Sequence, residues 1–414
     1  MRSLLLNTFD ISGGAALATF RLHKGLLSEG VESKLLVQYK QSDDPNVLGP
    51  STKFKSILAR SRPYLDNLIL RKYKKRENQL FSASILPDFN SSIISEIDPD
   101  IVHLFWITGG FLRLETLKNV NRPIIWTLHD MWPFTGGCHY DNECGKYTES
   151  CGSCPILGSK NNSDLSFKVL RRKKKSYPVE NITVVATSDW IGDCARKSSL
   201  FRNCRIEVIP NGIDSQKYKP VDKNVARYTY NLPLDKKLIL FSAFSSTSDK
   251  RKGFDYLLSA MQKMSNDELA KNVELVILGS SEPECQLDVN MKIHYIPYLH
   301  DDISQIILYS AADITILPSR QENLSNTVIE SLLCATPVIA FDIGGMPDMI
   351  KHKYNGYLAK SYDSGDIYEG IKWILGDRER FQLLSEQARK SAVDNYSIEK
   401  ITSQYIDLYQ DVVK

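Results

Sequence analysis

The sequence contains no apolar run that approaches the roughly 18 residues of a membrane-spanning helix. The start also lacks the apolar stretch of a secretory signal, because Asn7 and Asp10 soon interrupt the leucines Leu4, Leu5 and Leu6. The net charge of +3 is too small to indicate nucleic-acid binding. We therefore predict a cytoplasmic protein that binds no nucleic acid and keeps most of its eight cysteines reduced.

The composition that remains is ordinary for a globular protein, with 42% hydrophobic and 24% charged residues. It argues against a disordered or fibrous chain. The 414 residues exceed the roughly 250–300 at which a single core stops growing, so two domains are expected.

Short apolar runs recur along the chain, each followed by a turn and a helical pattern. Such runs predict parallel strands, which are buried on both faces. The predicted strands are Ser3–Phe9, Ser33–Gln38, Ile101–Trp106, Ile124–Leu128, Ile182–Ala186, Ile206–Ile209, Leu238–Phe241, Leu275–Leu278, Ile293–Ile296, Ile314–Leu317 and Pro337–Phe341. The predicted helices include Leu17–Ser28, Phe254–Met264, Ile303–Ala312 and Thr327–Cys334. This alternation predicts an α/β protein with two doubly wound, Rossmann-like domains and a ligand cleft at the carboxyl ends of the strands.

The domain boundary is predicted at the turn signal Asn211-Gly212. We assign residues 1–210 to the first domain, with a cysteine-rich insertion at 138–155, and residues 211–395 to the second. Residues 396–414 are expected to form a helix that packs back on the first domain.

Two acidic residues surround the start of one predicted helix. Glu322 lies in the loop after the strand Ile314–Leu317, and Glu330 lies inside the helix. The backbone N–H groups of Ser325–Thr327 would form an anion site suited to a diphosphate. Carboxylates accept hydrogen bonds from sugar hydroxyls. The alternative is that Glu322 only complements the helix dipole and Glu330 is solvated.

The spacing Glu322-x7-Glu330, followed by a Thr-Pro-Val strand and Gly344-Gly345-Met346-Pro347-Asp348, resembles the donor site of family 4 retaining glycosyltransferases. These enzymes have the GT-B fold of two Rossmann-like domains facing across a cleft. Nearly the whole chain is covered, since further matching elements occur in the family's order. They are Gly13-Gly14, Pro210-Asn211-Gly212-Ile213-Asp214, Lys252-Gly253-Phe254-Asp255 and Asn355-Gly356-Tyr357-Leu358.

The resemblance implies transfer from a UDP-, GDP- or ADP-type sugar to an acceptor hydroxyl, with retention and without a catalytic metal. It assigns Glu322 to the sugar hydroxyls, Glu330 to the ribose and Lys252 to the diphosphate. The donor-binding residues also include Gly14, Arg251, Asn323, Leu324, Ser325 and Asn326. The arginine that the family often carries before Lys-Gly is absent, and both Lys250 and Arg251 are candidates for its role.

His129 follows the strand Ile124–Leu128 and could bind a sugar hydroxyl or a developing charge. A core histidine bonded to the backbone is the plain alternative. The resemblance places such a histidine at the reaction centre, so His129, Glu322 and Lys252 are the predicted catalytic residues. Asp130 would orient His129 or cap the next turn.

The predicted acceptor region consists of Gly13, Gly14, His129 and Asp130. The segment 126–140, with Phe105-Trp106 and Gly109-Gly110, resembles a subgroup of bacterial transferases that assemble surface polysaccharides such as capsule and O-antigen. For that subgroup a glycan or lipid-linked acceptor is expected, at the inner face of the cell membrane. Two rival functions stay open: a sugar-nucleotide epimerase of the same fold, and a non-catalytic glycan-binding protein.

Four cysteines follow His129 in the sequence: Cys138, Cys144, Cys151 and Cys154. The last two form a C-x2-C knuckle, and the set could hold a structural zinc ion. Four free thiols are the alternative, and His139 is a spare candidate ligand.

Two basic segments lie in the first half. Residues 53–76 contain nine Lys or Arg and one acid, with apolar residues between them, and residues 171–175 read Arg-Arg-Lys-Lys-Lys. Basic amphipathic helices often lie on anionic membranes, so peripheral membrane contact is predicted. A solvated basic face is the alternative.

Overall fold

The computed structural model describes residues 1–88, 90–242, 249–265, 267–279 and 289–414. The chain divides into two compact units. Unit 1 comprises Met1–Gly212 and Ile398–Lys414, and unit 2 comprises Ile213–Ser397. Each is built on one parallel sheet, which confirms the predicted α/β fold with two Rossmann-like domains.

The sheet of unit 1 has the strand order β3-β2-β1-β4-β5-β6-β7. Its strands are β1 (Arg2–Phe9), β2 (Glu32–Tyr39), β3 (Val47–Leu48), β4 (Ile101–Leu104), β5 (Ile124–Leu128), β6 (Ile182–Ala186) and β7 (Arg205–Val208). Its helices are α1 (Gly14–Ser28), α2 (Lys53–Asn67), α3 (Asn90–Ile97), α4 (Leu165–Ser176) and α5 (Asp189–Lys197). Every residue of β4 and β5 is buried, as the apolar runs require.

The sheet of unit 2 has the strand order β10-β9-β8-β11-β12-β13. Its strands are β8 (Lys237–Ser242), β9 (Val273–Leu278), β10 (Ile293–Ile296), β11 (Ile314–Leu317), β12 (Val338–Phe341) and β13 (Gly356–Ala359). Its helices are α6 (Lys223–Thr229), α7 (Phe254–Met264), α8 (Asp302–Ala311), α9 (Asn326–Leu333), α10 (Met346–Met349), α11 (Ser364–Leu375) and α12 (Arg378–Tyr396).

The chain order of the strands reverses between β1 and β4 in unit 1, and between β8 and β11 in unit 2. Ligands of such sheets bind outside the carboxyl ends of the strands at this reversal. The loops after β1 and β4, and those after β8 and β11, are therefore where functional side chains should be sought.

The last helix, α13 (Ile398–Val413), belongs to unit 1 and packs against α1. Gly25 of α1 makes the close approach possible, because a Cβ there would lie 2.2 Å from Thr402 Oγ1. Buried tyrosines of α13 also bond the sheet: Tyr405 Oη lies 3.0 Å from Thr127 Oγ1, and Tyr409 Oη lies 2.5 Å from His103 Nδ1. The helix is thus part of the core of unit 1.

Strands β5, β6, β10 and β11 have the predicted bounds. The short strands β3 and β13 were not predicted, since two residues at a sheet edge and a strand that begins with glycine give little periodic signal. None of the helices in the described ranges is both long and apolar enough to span a bilayer.

Candidate functional site

The turn after β8 delivers Lys252. Asp249 Oδ1 accepts a hydrogen bond from the backbone N–H of Arg251 at 2.9 Å, which starts a single 3-10 turn over Lys250–Lys252. Gly253 then takes a φ of +69°, and a Cβ at this position would lie 1.8 Å from the carbonyl oxygen of Pro318. Only glycine fits here, because both its conformation and the space exclude a side chain.

Lys252 forms an ion pair with Glu322, with 2.8 Å between Nζ and Oε2. The two side chains are 20% and 12% exposed. Burial alone would raise the pKa of Glu322, but the charge and hydrogen bond of Lys252, with the charge of Arg251, hold that pKa below its usual range. Glu322 is therefore an ionised carboxylate near neutral pH, next to a partly enclosed cation.

Backbone contacts connect three loops at this edge of the sheet of unit 2. The N–H of Arg320 donates to the carbonyl of Arg251 at 2.7 Å, and the N–H of Gly345 donates to the carbonyl of Glu322 at 3.2 Å. Gly344 has a φ of +51°, and a Cβ there would lie 2.1 Å from that same carbonyl oxygen. The Lys-Gly turn, the Glu322 loop and the Gly-Gly turn are thus fixed to one another, as a pre-organised site requires.

Glu330 lies inside α9 and is only 4% exposed. Its Oε2 accepts a hydrogen bond from Tyr309 Oη at 3.2 Å, and burial, followed by the charge of Glu330, raises the pKa of Tyr309 well above its usual value. The alternative of a solvated Glu330 is therefore wrong. Ser325, the N-cap of α9, makes no side-chain capping bond, and its carbonyl accepts a hydrogen bond from the N–H of Val328 at 3.1 Å.

The other predicted donor-binding residues of this loop differ in exposure. Asn323 is 2% and Ser325 is 7% exposed, whereas Leu324 is half-buried against the core of unit 2 and Asn326 is half-buried at the start of α9. The loop therefore reaches the helix with its polar side chains largely enclosed.

Of the two candidates for the missing arginine, Lys250 is exposed and Arg251 is half-buried. Arg251 pairs with Asp249 at 3.0 Å, and its charge also lowers the pKa of Glu322. This geometry favours Arg251. Residues 243–248, between β8 and this turn, lie outside the described residues.

In unit 1, His129 follows β5 and stacks on Phe105, with 5.9 Å between ring centroids. Its Nε2 is buried and has no hydrogen-bond partner among the described residues. Burial lowers the pKa of His129 to about 4, against the opposing charge of Asp130. The ring is thus neutral near pH 7, with one nitrogen available to a hydroxyl group.

Asp130 forms hydrogen bonds with three groups of the surrounding loops. Oδ1 accepts from the N–H of Trp132 at 2.9 Å, while Oδ2 accepts from Trp106 Nε1 at 2.9 Å and lies 2.6 Å from His139 Nδ1. Burial alone would raise the pKa of Asp130, but these partners, above all His139, keep that pKa below its usual value. Of the two predicted roles, capping of the next turn is observed, and the imidazole that Asp130 orients is His139 instead of His129.

The loop after β1 lies near the same edge. Gly13, with a φ of +94°, is the N-cap of α1, and a Cβ there would meet none of the described atoms within 4 Å. Gly14 begins the helix. Sequence reasoning missed Asp10, whose Oδ2 accepts from the N–H groups of Gln41 and Ser42 at 2.8 and 2.7 Å. An acid directly after a buried strand was the available signal.

The four predicted zinc ligands, Cys138, Cys144, Cys151 and Cys154, line one small cavity. Burial raises the pKa of each thiol, that of Cys151 to about 12. Within the described ranges, no three or more His, Cys, Asp or Glu side chains are arranged to hold a metal ion. Sequence and fold thus bring the four thiols together, and the zinc itself stays a prediction.

The basic run 171–175 is exposed only in part: Arg171, Lys174 and Lys175 are exposed, whereas Arg172 and Lys173 are not. Lys173 is fully buried: its Nζ lies 3.8 Å from the ring centre of Trp132 and donates to the carbonyls of Trp132 and Thr135. Arg172 bonds both carboxylate oxygens of Glu115, at 3.0 and 2.9 Å. The prediction of a membrane surface here is wrong for these two residues, because α4 turns them towards the protein.

Two family models match the chain. One is described as Glycosyltransferase Family 4 and matches residues 12–217, and the other is described as Glycosyl transferases group 1 and matches residues 222–391. Together they leave only short segments unmatched.

Among curated proteins, N-acetyl-alpha-D-glucosaminyl L-malate synthase from Bacillus anthracis is 27% identical over 218 residues, which are 51% of this chain and 55% of the relative. The chain spans about half the length of the curated relatives it matches.

Among solved structures, sucrose-phosphate synthase from Thermosynechococcus elongatus aligns with a TM-score of 0.71 and 18% identity, covering 100% of this chain and 99% of that one. HepE from Anabaena, in complex with UDP and glucose, aligns with a TM-score of 0.64 and 15% identity, covering 99% of each chain. At these identities the structures show a shared fold.

Proposed function

The chain belongs to the glycosyltransferases of the GT-B fold, and we propose that it moves a sugar from a nucleoside-diphosphate sugar to an acceptor hydroxyl with retention of configuration. The observation that carries this proposal is the ion pair between Lys252 and Glu322. It joins a cation for the diphosphate to a carboxylate for the sugar, at the reversal of strand order in unit 2.

The donor is proposed to bind unit 2. Lys252 and Arg251 neutralise the diphosphate, and the first turn of α9 supplies backbone N–H groups to it. Glu322 accepts hydrogen bonds from the sugar hydroxyls, and Glu330 accepts them from the ribose. A UDP-type donor is consistent with the UDP complex of HepE, while GDP- and ADP-type donors stay candidates.

In the reaction, the bond between the sugar C1 and the diphosphate oxygen breaks, and C1 bonds to the acceptor oxygen on the same face. The acceptor proton passes to an oxygen of the leaving diphosphate, so no carboxylate of the protein has to act as nucleophile. Lys252, Arg251 and the N-terminus of α9 stabilise the negative charge that develops on the leaving group. No metal ion is required for this step.

The acceptor is proposed to bind unit 1. The buried Nε2 of the neutral His129 has no hydrogen-bond partner in the part of the chain that the structure describes, and it can accept a hydrogen bond from the attacking hydroxyl. Gly13 leaves room for an approach to the backbone, since none of the described atoms lies within 4 Å of where its Cβ would be. The segment 126–140 supports a glycan or lipid-linked acceptor of bacterial surface-polysaccharide synthesis.

The proposal is tested by a thermal-shift screen of UDP-, GDP- and ADP-sugars, followed by analysis of nucleotide release and product configuration. A donor that binds only the folded state raises its melting temperature. We expect the sugar nucleotides of one class to stabilise the protein and to be consumed, with the sugar hydrolysed off or transferred. The product should keep the anomeric configuration that the sugar has in the donor. Glu322→Ala should abolish turnover, while Glu379→Ala, an exposed acid on α12, should not.

Two outcomes would refute the proposal. One is a protein that consumes no donor and binds sugar nucleotides as well after Glu322→Ala as before it. The other is conversion of a sugar nucleotide to its epimer without release of nucleoside diphosphate, which would identify an epimerase.

A further inference from the structure

Helix α2 has very little contact with the core for its length. Of its 15 residues only Ala59 and Asp66 are buried. The exposed large apolar side chains of this region are Phe54 (76%), Ile57 (68%), Leu58 (42%), Tyr64 (61%), Leu65 (37%) and Leu68 (38%). Exposed apolar side chains in such density indicate a surface that binds something.

These apolar residues form one stripe. At about 100° per residue they fall within an arc of roughly 120° around the helix axis. The buried Ala59 and Asp66 lie on nearly the opposite side, so the stripe points away from the protein. Asp66 accepts hydrogen bonds from the N–H groups of Ser84 and Ile85 at 3.1 and 2.9 Å, which fixes this orientation.

Basic residues flank the stripe on both sides. On the same helical projection Lys53 and Arg60 lie on one flank and Lys55 on the other, and all three side chains are exposed. Directly after α2 come five more exposed cations: Arg71, Lys72, Lys74, Lys75 and Arg76. An apolar stripe with cations on both flanks is the arrangement of a helix that lies in the interface of an anionic bilayer.

Helix α2 also borders the proposed acceptor region of unit 1. Tyr39 Oη, at the end of β2, donates to the carbonyl of Ala59 at 2.8 Å. Arg62 Nε donates to the carbonyl of Gly110 at 2.6 Å, in the loop after β4. That loop also contains Trp106, whose Nε1 donates to Asp130, the residue next to His129. The outer surface of α2 is therefore close to the carboxyl ends of β2 and β4.

We infer that α2 and the following cations (residues 53–76) dock unit 1 on an anionic lipid surface, with the stripe from Phe54 to Leu68 inserted between the headgroups. This places the acceptor region where a lipid-linked acceptor would be carried. The docking stands on the geometry of α2 alone, whereas the link to the acceptor rests on the proposed glycosyl transfer.

The test is co-sedimentation of the purified chain with vesicles of phosphatidylcholine, with and without about 30 mol% phosphatidylglycerol. We expect binding to the anionic vesicles only, and its loss near roughly 0.5 M salt, where charges are screened beyond a few ångströms. Phe54→Ser with Ile57→Ser should lower the partition coefficient by at least about tenfold. Lys53→Glu, Lys55→Glu and Arg60→Glu together should lower it by roughly 100-fold.

Matched controls exist in unit 2. Tyr228 and Leu383 are also exposed, at 84% and 57%, and their replacement by serine should leave binding unchanged. The same holds for glutamate at the three exposed lysines Lys219, Lys360 and Lys390. All mutated side chains are exposed, so each variant should keep the wild-type melting temperature.

Equal sedimentation of wild type and α2 variants, or equal binding to neutral vesicles, would overturn the inference. The inference would also be overturned if the protein bound no vesicles but formed a dimer that Phe54→Ser with Ile57→Ser dissociates. The stripe would then bind a second copy of the chain. Vesicle binding is measured without donor, so its failure is separate from a failure of the thermal-shift screen with sugar nucleotides.

Discussion

The ion pair between Lys252 and Glu322 leads to a prediction about binding. One substitution should affect the nucleoside diphosphate and the complete sugar nucleotide in different ways. Without ligand, Lys252 Nζ is held 2.8 Å from Glu322 Oε2. If Lys252 serves the diphosphate, it has to share or leave this partner when the nucleotide binds. Glu322→Gln keeps the shape of the side chain and removes its charge, so it releases Lys252.

We therefore expect opposite effects on two ligands. The nucleoside diphosphate alone should bind Glu322→Gln as well as wild type or more tightly, because Lys252 no longer leaves an anionic partner. The sugar nucleotide should lose the charge-assisted bonds from its hydroxyls, each contributing about 1.5–3 kcal/mol. The dissociation constant of the nucleoside diphosphate divided by that of the sugar nucleotide should thus fall by roughly tenfold to 150-fold for the loss of one such bond.

The assay is isothermal titration of both ligands into wild type, Glu322→Gln and Glu330→Gln. Glu330→Gln is the matched control, since a ribose contact should weaken both ligands equally. Equal weakening of both ligands by Glu322→Gln would refute the assignment of Glu322 to the sugar, because the ratio would then be unchanged.

Three further predictions concern stability and pH. Gly253→Ala should destabilise the protein by more than about 2 kcal/mol, judged by urea unfolding, since its Cβ would lie 1.8 Å from Pro318 O, whereas Gly30→Ala, also at positive φ but with nothing within 4 Å, should cost only about 1 kcal/mol. Similar costs for both would contradict this. Burial lowers the pKa of His129 in the folded chain to about 4, below its ordinary value of about 6.5, so the unfolded chain takes up the proton first as the pH falls. The stability present above about pH 6.5 should therefore fall by about 3 kcal/mol towards pH 4; His129→Asn should lack this part of the decline, and identical pH profiles would refute it. Asp130→Asn should cost about 2–4 kcal/mol, because one amide cannot replace acceptor bonds to three donors, while titrated donor affinity in unit 2 stays unchanged; a parallel loss of donor affinity would argue against separate sites.

Much of the fold could be predicted from short apolar runs in the sequence. Strands such as β5 and β11 are buried on both faces and are therefore apolar throughout, which a segment facing solvent would not be. The position of Glu322 after β11 could be predicted in the same way. Its pairing with Lys252 could not, since the two residues are 70 positions apart and meet only through the order of strands in the sheet.

Burial of charged groups was the main point that sequence alone could not decide. The run that contains Lys173 has the composition of a solvated face, yet the carbonyls of Trp132 and Thr135 enclose its ammonium group. Likewise, two roles for Asp130 were equally consistent with its place in the chain, and only the position of His139 distinguished them.

The return of α13 to unit 1 affects how the two units can form during synthesis. Unit 2 is continuous from Ile213 to Ser397, so all of its strands and helices exist before α13 has been made. Unit 1 begins earlier but finishes later, because His103 and Thr127 receive their tyrosine partners only when the last helix has left the ribosome. The second unit should therefore complete its native structure first, contrary to the usual N-terminal-first order.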